Sequence, residues 1–506
     1  MRTKSTWTES LFIRTIVLLG MFWGSSSHSL HAQVESPAEV IDESWQTVSS
    51  HGERIGYAHS LTTRGEKDGE PVIVSDLLTV MTFMRFGQQL SIQQSTHVVE
   101  TIEGDLISFA STLKNPPNSE SVATGEMQAG TLTVTSRVAG ETTTKSYPEF
   151  NGIKSSVWPE RFVREGRMTP GEVHRFQVFE PALGQAVTMT AELVSSTAAS
   201  RVDARNSLAE SEHQIRFQTF IDESPAVETI VTCDAEWSFL KSETPILGIV
   251  MSKSDEHEAL APVGKVTFDF AKDSMIPVTI EESLHSAKSV TYRIEVAGAN
   301  AGDLFSKQHS QLNTSDDAEV IELSTTGQAL SSDSPGREFS VASPVVESDH
   351  ELIQKLAAQA AGDADDPLVV ARHLTIFVDD YVTEKNFATS LGSALETAQS
   401  RAGDCTEHSV LLAALLRARG IPSRVVVGFV YSNQLEAFVG HLWTEAWVDG
   451  KWMGLDALDA NHVAGPGHLA MKTASLSGQG TSAAGEFFMI IHLLGRTKID
   501  VLEVVR

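Results

Sequence analysis

The chain has 506 residues, with 38 Lys+Arg against 66 Asp+Glu, a formal net charge of −28, two cysteines and 41% hydrophobic residues. This length carries about two to four globular domains with ample core, and the composition excludes a disulfide scaffold or a disordered chain. The acidic excess argues against nucleic acid and anionic membrane surfaces as partners, since both are bound through clustered Lys/Arg.

Residues 1–32 read as a secretory signal peptide. Arg2, Lys4 and Arg14 precede or open the apolar run Thr15–Trp23, and a small polar stretch then ends at Ala32. The run is too short for a stable membrane anchor. Its removal takes three basic residues and Glu9, leaving a mature charge of −30 on a chain expected in a periplasm or outside the cell. Such compartments permit a disulfide between Cys233 and Cys405. Cys233, however, lies in the alternating run Glu228–Asp234 and reads as a small strand residue.

From about Glu43 to Val296 apolar and polar residues alternate in short runs, among them Gln89–Gln93, Thr131–Thr135, Arg175–Phe179 and Ala186–Leu193. A period of two puts one face of each strand on a core and the other in water, the pattern of antiparallel sheets. Glu103-Gly-Asp105, Pro116-Pro-Asn118 and Leu183-Gly184 are the turn candidates between them. One large curved sheet or two smaller ones should fill residues 33–296.

Residues 297–345 are rich in Ser, Asp, Thr and Gly and suit a linker or small bridging sheet, with Val320–Leu323 and Phe339–Val341 as strand-like pieces. Helical spacing takes over in residues 346–506. The first helix covers Asp349–Ala361, and Asp366-Pro367 opens a second whose buried stripe is Val370, Leu374, Phe377, Val378 and Tyr381.

Residues 403–417 read Gly-Asp-Cys-Thr-Glu-His-Ser-Val-Leu-Leu-Ala-Ala-Leu-Leu-Arg. Asp404 is placed to cap a strongly apolar helix, which puts Cys405 in its first turn, where free N–H groups and the helix dipole stabilise an anionic sulfur. Arg419-Gly-Ile-Pro422 ends that helix, and Arg424–Val430 is a β-branched strand. A hairpin follows, Gly440 to Asp456, with Asp449-Gly450 as its two-residue turn. Counting outward from that turn pairs Val448 with Lys451, Trp443 with Asp456 and His441 with Leu458. Asp456 then becomes the same-face diagonal neighbour of His441. A carboxylate there can hold one imidazole nitrogen and leave the other for a thiol. That is the nucleophile, base and orienter logic of covalent acyl transfer: Cys405 attacks, His441 moves the proton, Asp456 sets tautomer and ring angle. A turn one residue longer would break the pairing.

The segments Gly403–His408, Leu411–Arg417, Gly420–Arg424, His441–Glu445 and Trp452–Asp456 together resemble the transglutaminase-like superfamily with its papain-like Cys-His-Asp core, over roughly residues 366–470. The resemblance implies Cys405 as nucleophile, His441 as general base and Asp456 as orienting acid. It also implies an α+β fold in which an N-terminal antiparallel β-rich region precedes a domain with the Cys helix packed on an antiparallel sheet. Asp456-Ala457-Leu458 stands where the family often has Asp-Pro-Thr. The calcium-binding loops of the animal crosslinking enzymes have no match, so no metal or cofactor is carried over.

Blander roles stand beside these. Glu407 and His408 can be structural, and Trp443, Trp447 and Trp452 can pack the hairpin on the core, with one of them lining a cleft. Trp443 and Glu445 share the strand face of His441. Cys405-x-x-His408 with His462 and His468 has a loosely zinc-like arrangement but lacks a second cysteine. An oxyanion hole would use the Cys405 N–H and an upstream side-chain donor, for which Asn386 and Gln399 are guesses only. The expected activity is that of an exported cysteine enzyme acting on amide bonds of a protein or peptide substrate, envelope peptides included, through a thioester. Hydrolysis is favoured over transglutaminase crosslinking because water is in excess. The alternative is an inactive protein-binding module of the cell envelope.

Overall fold

The computed structural model describes residues 39–476 and 496–506, apart from short internal stretches at 86, 116–118, 139–140, 149, 167, 182–183, 198–211, 222–223, 246–247, 268, 274, 281–283, 298–299, 315–316, 331–333, 344 and 386–391. The expected signal peptide, the turn Pro116-Pro-Asn118, Leu183 and Asn386 lie outside the described residues. No helix among the described residues is long and apolar enough to cross a membrane. The chain forms two compact units, built mainly on residues 39–268 and on Asp269–Arg506.

In the first unit, fourteen strands among the described residues make one sheet. From Glu39–Ser50 each strand pairs with the next in sequence as far as Glu141–Tyr147; those from Val173–Glu180 to Ile249–Ser254 do the same, and Ile249–Ser254 pairs antiparallel with Glu39–Ser50. The sheet curls until its ends meet. Tyr147 on one end strand lies 5.9 Å from Phe179 on the other, between ring centroids, and its hydroxyl donates to the Gly184 carbonyl at 2.8 Å. Phe179 also joins Phe109, Leu132 and Val134 in one buried cluster. Of the two arrangements open to the alternation, the single curved sheet is the one formed. Its inward face is partly polar, and cross-strand hydroxyl pairs such as Thr62 with Ser75 and Thr229 with Thr244 satisfy those buried groups. Cys233 is buried on the strand Ser224–Asp234, and both cysteines are free thiols.

The second unit holds a four-stranded antiparallel sheet in the order Ser310–Thr314, Val320–Thr325, Ser289–Val296, Thr497–Val505. Ser289–Val296, grouped by its alternation with the N-terminal strands, therefore finds its partners here. Alternation reports a half-buried strand and says nothing about which strand lies beside it. The expected strand at Phe339–Val341 is absent; Arg337–Phe339 forms a short 3-10 turn.

Helices Glu351–Ala361, Pro367–Tyr381, Ala394–Ser400 and Cys405–Ala418 pack with a second sheet into one continuous core. Asp366 caps the helix that Pro367 opens, accepting from the N–H groups of Leu368 and Val369. Val370, Leu374 and Val378 of the expected stripe are buried, and Phe377 and Tyr381 pack at its edge. The sheet is built on Ser423–Ser432, flanked by Ala437–Val448 and His468–Ala474; Lys451–Leu455 extends it beyond Ala437–Val448. Thr444 ties sheet to helix by donating from its hydroxyl to the Ser409 carbonyl at 2.9 Å.

Candidate active site

Asp404 and Glu407 start the Cys405 helix as a reciprocal capping box. Asp404 Oδ1 accepts the Thr406 N–H at 2.8 Å and Glu407 Oε2 accepts the Asp404 N–H at 2.9 Å. Glu407 Oε1 also accepts the Gly392 N–H at 2.6 Å. Burial, reinforced by the Asp404 charge, pushes the Glu407 carboxyl up to about 8. His408 points its Nδ1 at the Asp404 carbonyl, 2.6 Å away. Both residues thus fasten the helix start, and Cys405 sits half-buried as the first helical residue. Its N–H is at a position no helical carbonyl can reach, which leaves it available to an oxyanion. Gln399 is exposed on the helix Ala394–Ser400.

The hairpin turns as the residue types demand, with Asp449 at φ 52° and Gly450 at φ 74°. Its ladder runs Val448 to Lys451, Trp447 to Trp452, Ala446 to Met453, Glu445 to Gly454 and Thr444 to Leu455. The ladder ends there, so the expected pairs Trp443 with Asp456 and His441 with Leu458 are not formed. Asp456 is the first residue past the strand, and the chain turns at once, with the Leu458 N–H donating to Asp456 Oδ1 at 2.9 Å. This release lets the carboxylate reach His441, whose Nε2–H donates to Asp456 Oδ2 at 2.7 Å. Cys405 is close enough to the same imidazole to help raise it. Cys405, His441 and Asp456 are thereby brought together, from a helix start, a strand and a strand end.

Both charged groups of the inner pair are buried. Burial alone would lower His441, but the charge and hydrogen bond of Asp456, with help from Cys405, outweigh it and hold the imidazole well above its ordinary value. Burial alone would raise Asp456; His441 and His468 outweigh it and hold the carboxyl well below its ordinary range. Around this pair, Trp443 stacks on His441 with ring centroids 6.2 Å apart. Room for Trp443 comes from Gly428, opposite His441 on the neighbouring strand. A Cβ at Gly428 would stand 2.1 Å from the Leu469 carbonyl oxygen and 3.0 Å from the Trp443 ring.

Glu445 belongs to a different cluster, buried between His309 Nε2 at 2.8 Å and Arg424 Nε at 2.6 Å. Burial would raise its carboxyl, but His309 and Arg424 outweigh that and hold it below its ordinary value. Trp452 packs against Trp447 and Phe339 with the Arg424 guanidinium over its face.

His468 went unassigned in the sequence except in the zinc arrangement. The structure does not assemble Cys405, His408, His462 and His468; His462 lies beside Asp379 and His468 beside Asp456. Among the described residues, ligand-type atoms gather at His441, Asp456 and His468, within 4.8 Å of one another. The N–O separations of 2.7 and 3.0 Å are those of N–H···O bonds. Ligands around a tetrahedral zinc stand about 3.3 Å apart, given metal–ligand bonds of about 2 Å.

Residues 354–457 match the family model of the transglutaminase-like superfamily. The C-terminal unit thus carries a segment similar to the transglutaminase-like core. No curated protein matches the sequence. Solved structures with some likeness include a candidate cysteine protease from Cytophaga hutchinsonii, 18% identical, covering 43% of this chain and 86% of that one at a TM-score of 0.27. A β-barrel-like protein of a domain of unknown function from Brucella abortus is 12% identical, covering 42% and 94% at a TM-score of 0.30. A candidate protease from Parabacteroides distasonis is 12% identical, covering 72% and 68% at a TM-score of 0.20.

Proposed function

We propose that the protein is an exported hydrolase of amide bonds in proteins or peptides, with Cys405 as nucleophile, His441 as general base and acid, and Asp456 as orienting acid. The observation that carries this reading is the buried His441–Asp456 hydrogen bond beside Cys405, with the imidazole raised and the carboxyl depressed. With Nε2 held by Asp456, the Nδ1 of His441 is left for the thiol. Cys405 Sγ attacks the amide carbonyl carbon as His441 takes the thiol proton, and the oxyanion forms beside the Cys405 N–H. The C–N bond then breaks, and the same proton passes from His441 to the leaving amine. Water, deprotonated by His441, attacks the thioester; a carboxylate leaves and the thiol is restored. A primary amine in place of water would give a crosslink from the same thioester. Hydrolysis is preferred because water is in large excess wherever the site does not exclude it.

Alkylation of the full-length protein by iodoacetamide at neutral pH, mapped by peptide mass, tests the first half. Cys405 is expected to react faster than a free thiol and to slow in His441→Ala. Cys233, whose thiol burial and the neighbouring Asp234 and Glu160 push up to about 12, should stay unmodified. A Cys405 rate no faster than a free thiol would sink the enzyme reading in favour of an inactive binding module. Incubation with a glutamine-containing protein and an amine donor tests the second half: ammonia release with amine incorporated would overturn hydrolysis.

A further inference from the structure

We propose that His468 is a positioning residue for this chemistry, holding the orienting carboxylate of Asp456 in the plane that serves His441. The inference rests on the acyl-transfer reading above and adds a residue to it. Asp456 Oδ2 takes two bonds at once, from His441 Nε2 at 2.7 Å and from His468 Nε2 at 3.0 Å, while Oδ1 takes the Leu458 N–H at 2.9 Å. A carboxylate so held on both oxygens has one rotamer. Since Oδ2 is an acceptor from both rings, the angle it presents to His441 is set jointly with His468.

His468 is itself held firmly. Its side chain is fully buried; its Nδ1 stands 3.1 Å from the Gly465 nitrogen and 3.2 Å from the Gly465 oxygen, and the acceptor-only Asp456 carboxylate puts a proton on Nε2. Its backbone stands opposite Val430 in the central strand of the sheet. Burial lowers its imidazole, with the charges of His441 and His285 adding to that, and together they outweigh the opposing pull of Asp456, which favours a neutral donor. Trp443 meets it edge to face, 5.1 Å between centroids, and His285 does so from another side at 5.6 Å. The loop between Asp456 and His468 is fastened along its length: Ala464 N–H to the Gly454 carbonyl, the Tyr292 hydroxyl to the Pro466 carbonyl and Tyr431 N–H to the Gly467 carbonyl. The chain therefore leaves the site at Asp456, runs through a pinned loop, and returns to donate to the atom it left.

The test compares iodoacetamide labelling of Cys405 in the full-length protein and its His441→Ala, His468→Phe and His468→Gln variants, with folding followed by circular dichroism. Phe keeps a ring without a donor; Gln keeps an N–H. His468→Phe is expected to stay folded and slow labelling about tenfold or more, the worth of one hydrogen bond to a charged group. His468→Gln should recover most of the rate. Labelling of His468→Phe within twofold of the wild type, equal slowing in both variants, or slowing that tracks unfolded protein would overturn the proposal. A wild-type rate no faster than a free thiol, or unaffected by His441→Ala, would instead fail the acyl-transfer reading. Histidine side-chain nitrogen spectra of the wild type decide independently of any variant's folding. His468 is expected as the neutral Nε2–H tautomer, and an Nδ1–H tautomer or an imidazolium there overturns the assignment.

Discussion

Asp456 gains its influence from being unable to move: two imidazole N–H groups and one backbone N–H converge on a carboxylate shut away from water. An Asn at this position is isosteric but must turn an NH2 or a single carbonyl oxygen toward two donors. Asp456→Asn is therefore expected to keep the fold and to cut turnover by about 10²- to 10⁴-fold through loss of the productive His441 tautomer. Labelling of Cys405 should slow in parallel, and an Asn variant as reactive as the wild type would remove Asp456 from the mechanism. The start of the Cys405 helix and the hairpin bearing His441 were legible in the sequence, since a capped apolar helix and a two-residue hairpin turn are local signals; the ladder pairs expected to bring Asp456 to His441 are not formed. His468 was not legible. It lies twelve residues past Asp456 across a loop, and no local pattern reports the two ends of a loop meeting.

At the scale of elements, capping decides where the reactive helix begins. The Asp404 and Glu407 box is an Asp-x-x-Glu pattern that sequence reading can find. Ser393 and Glu396 form a second box on the helix Ala394–Ser400, and here the carboxyl bears a cost. Burial, with Glu347 nearby, pushes Glu396 up to about 7, although the Ser393 N–H works against the rise. Below about pH 4.5 the group is protonated in both folded and unfolded chains. As pH rises from there to 7 the unfolded chain ionises first, so stability falls, by about 1–3 kcal/mol for a shift of this size. Glu396→Gln keeps the box without the charge. Melting curves should show the wild type losing ground to this variant between about pH 4.5 and 7, and a constant gap across that range would contradict the assignment. The hairpin shows how far element-level reading goes: turn type and five ladder pairs follow from Asp449-Gly450, but the ladder's end does not. Strand ends are set by what competes for the next residue, here the turn at Leu458 and the pull of two histidines.

Over the whole molecule, buried charge holds the second unit together away from the site. Glu445, from the central sheet, bonds His309, which immediately precedes the strand Ser310–Thr314 of the other sheet, and Arg424 from its own. Glu445→Gln removes the charge that faces the buried Arg424 guanidinium, and breaking a buried pair on one side costs about 3–5 kcal/mol. Hydrogen exchange should speed up in Ser310–Thr314 and Ala437–Val448 together; exchange as slow as in the wild type would show the cluster to be dispensable. The export reading belongs at this scale too. The protein recovered from outside the cytoplasm is expected to begin at Gln33 by N-terminal mass mapping, and a chain still starting at Met1 there would refute cleavage.

The sequence by itself determined that the N-terminal region is rich in half-buried strands, that a cysteine stands at a helix start, and that a tight hairpin brings a histidine and an aspartate near one another. These are consequences of periods, caps and turns, which act over a few residues. The tertiary structure alone decided that fourteen strands curl into one sheet, that Ser289–Val296 pairs within the second unit, and that His468 returns to Asp456. Those outcomes depend on which distant surfaces bury one another, and a period of two or of 3.6 carries no address for its partner.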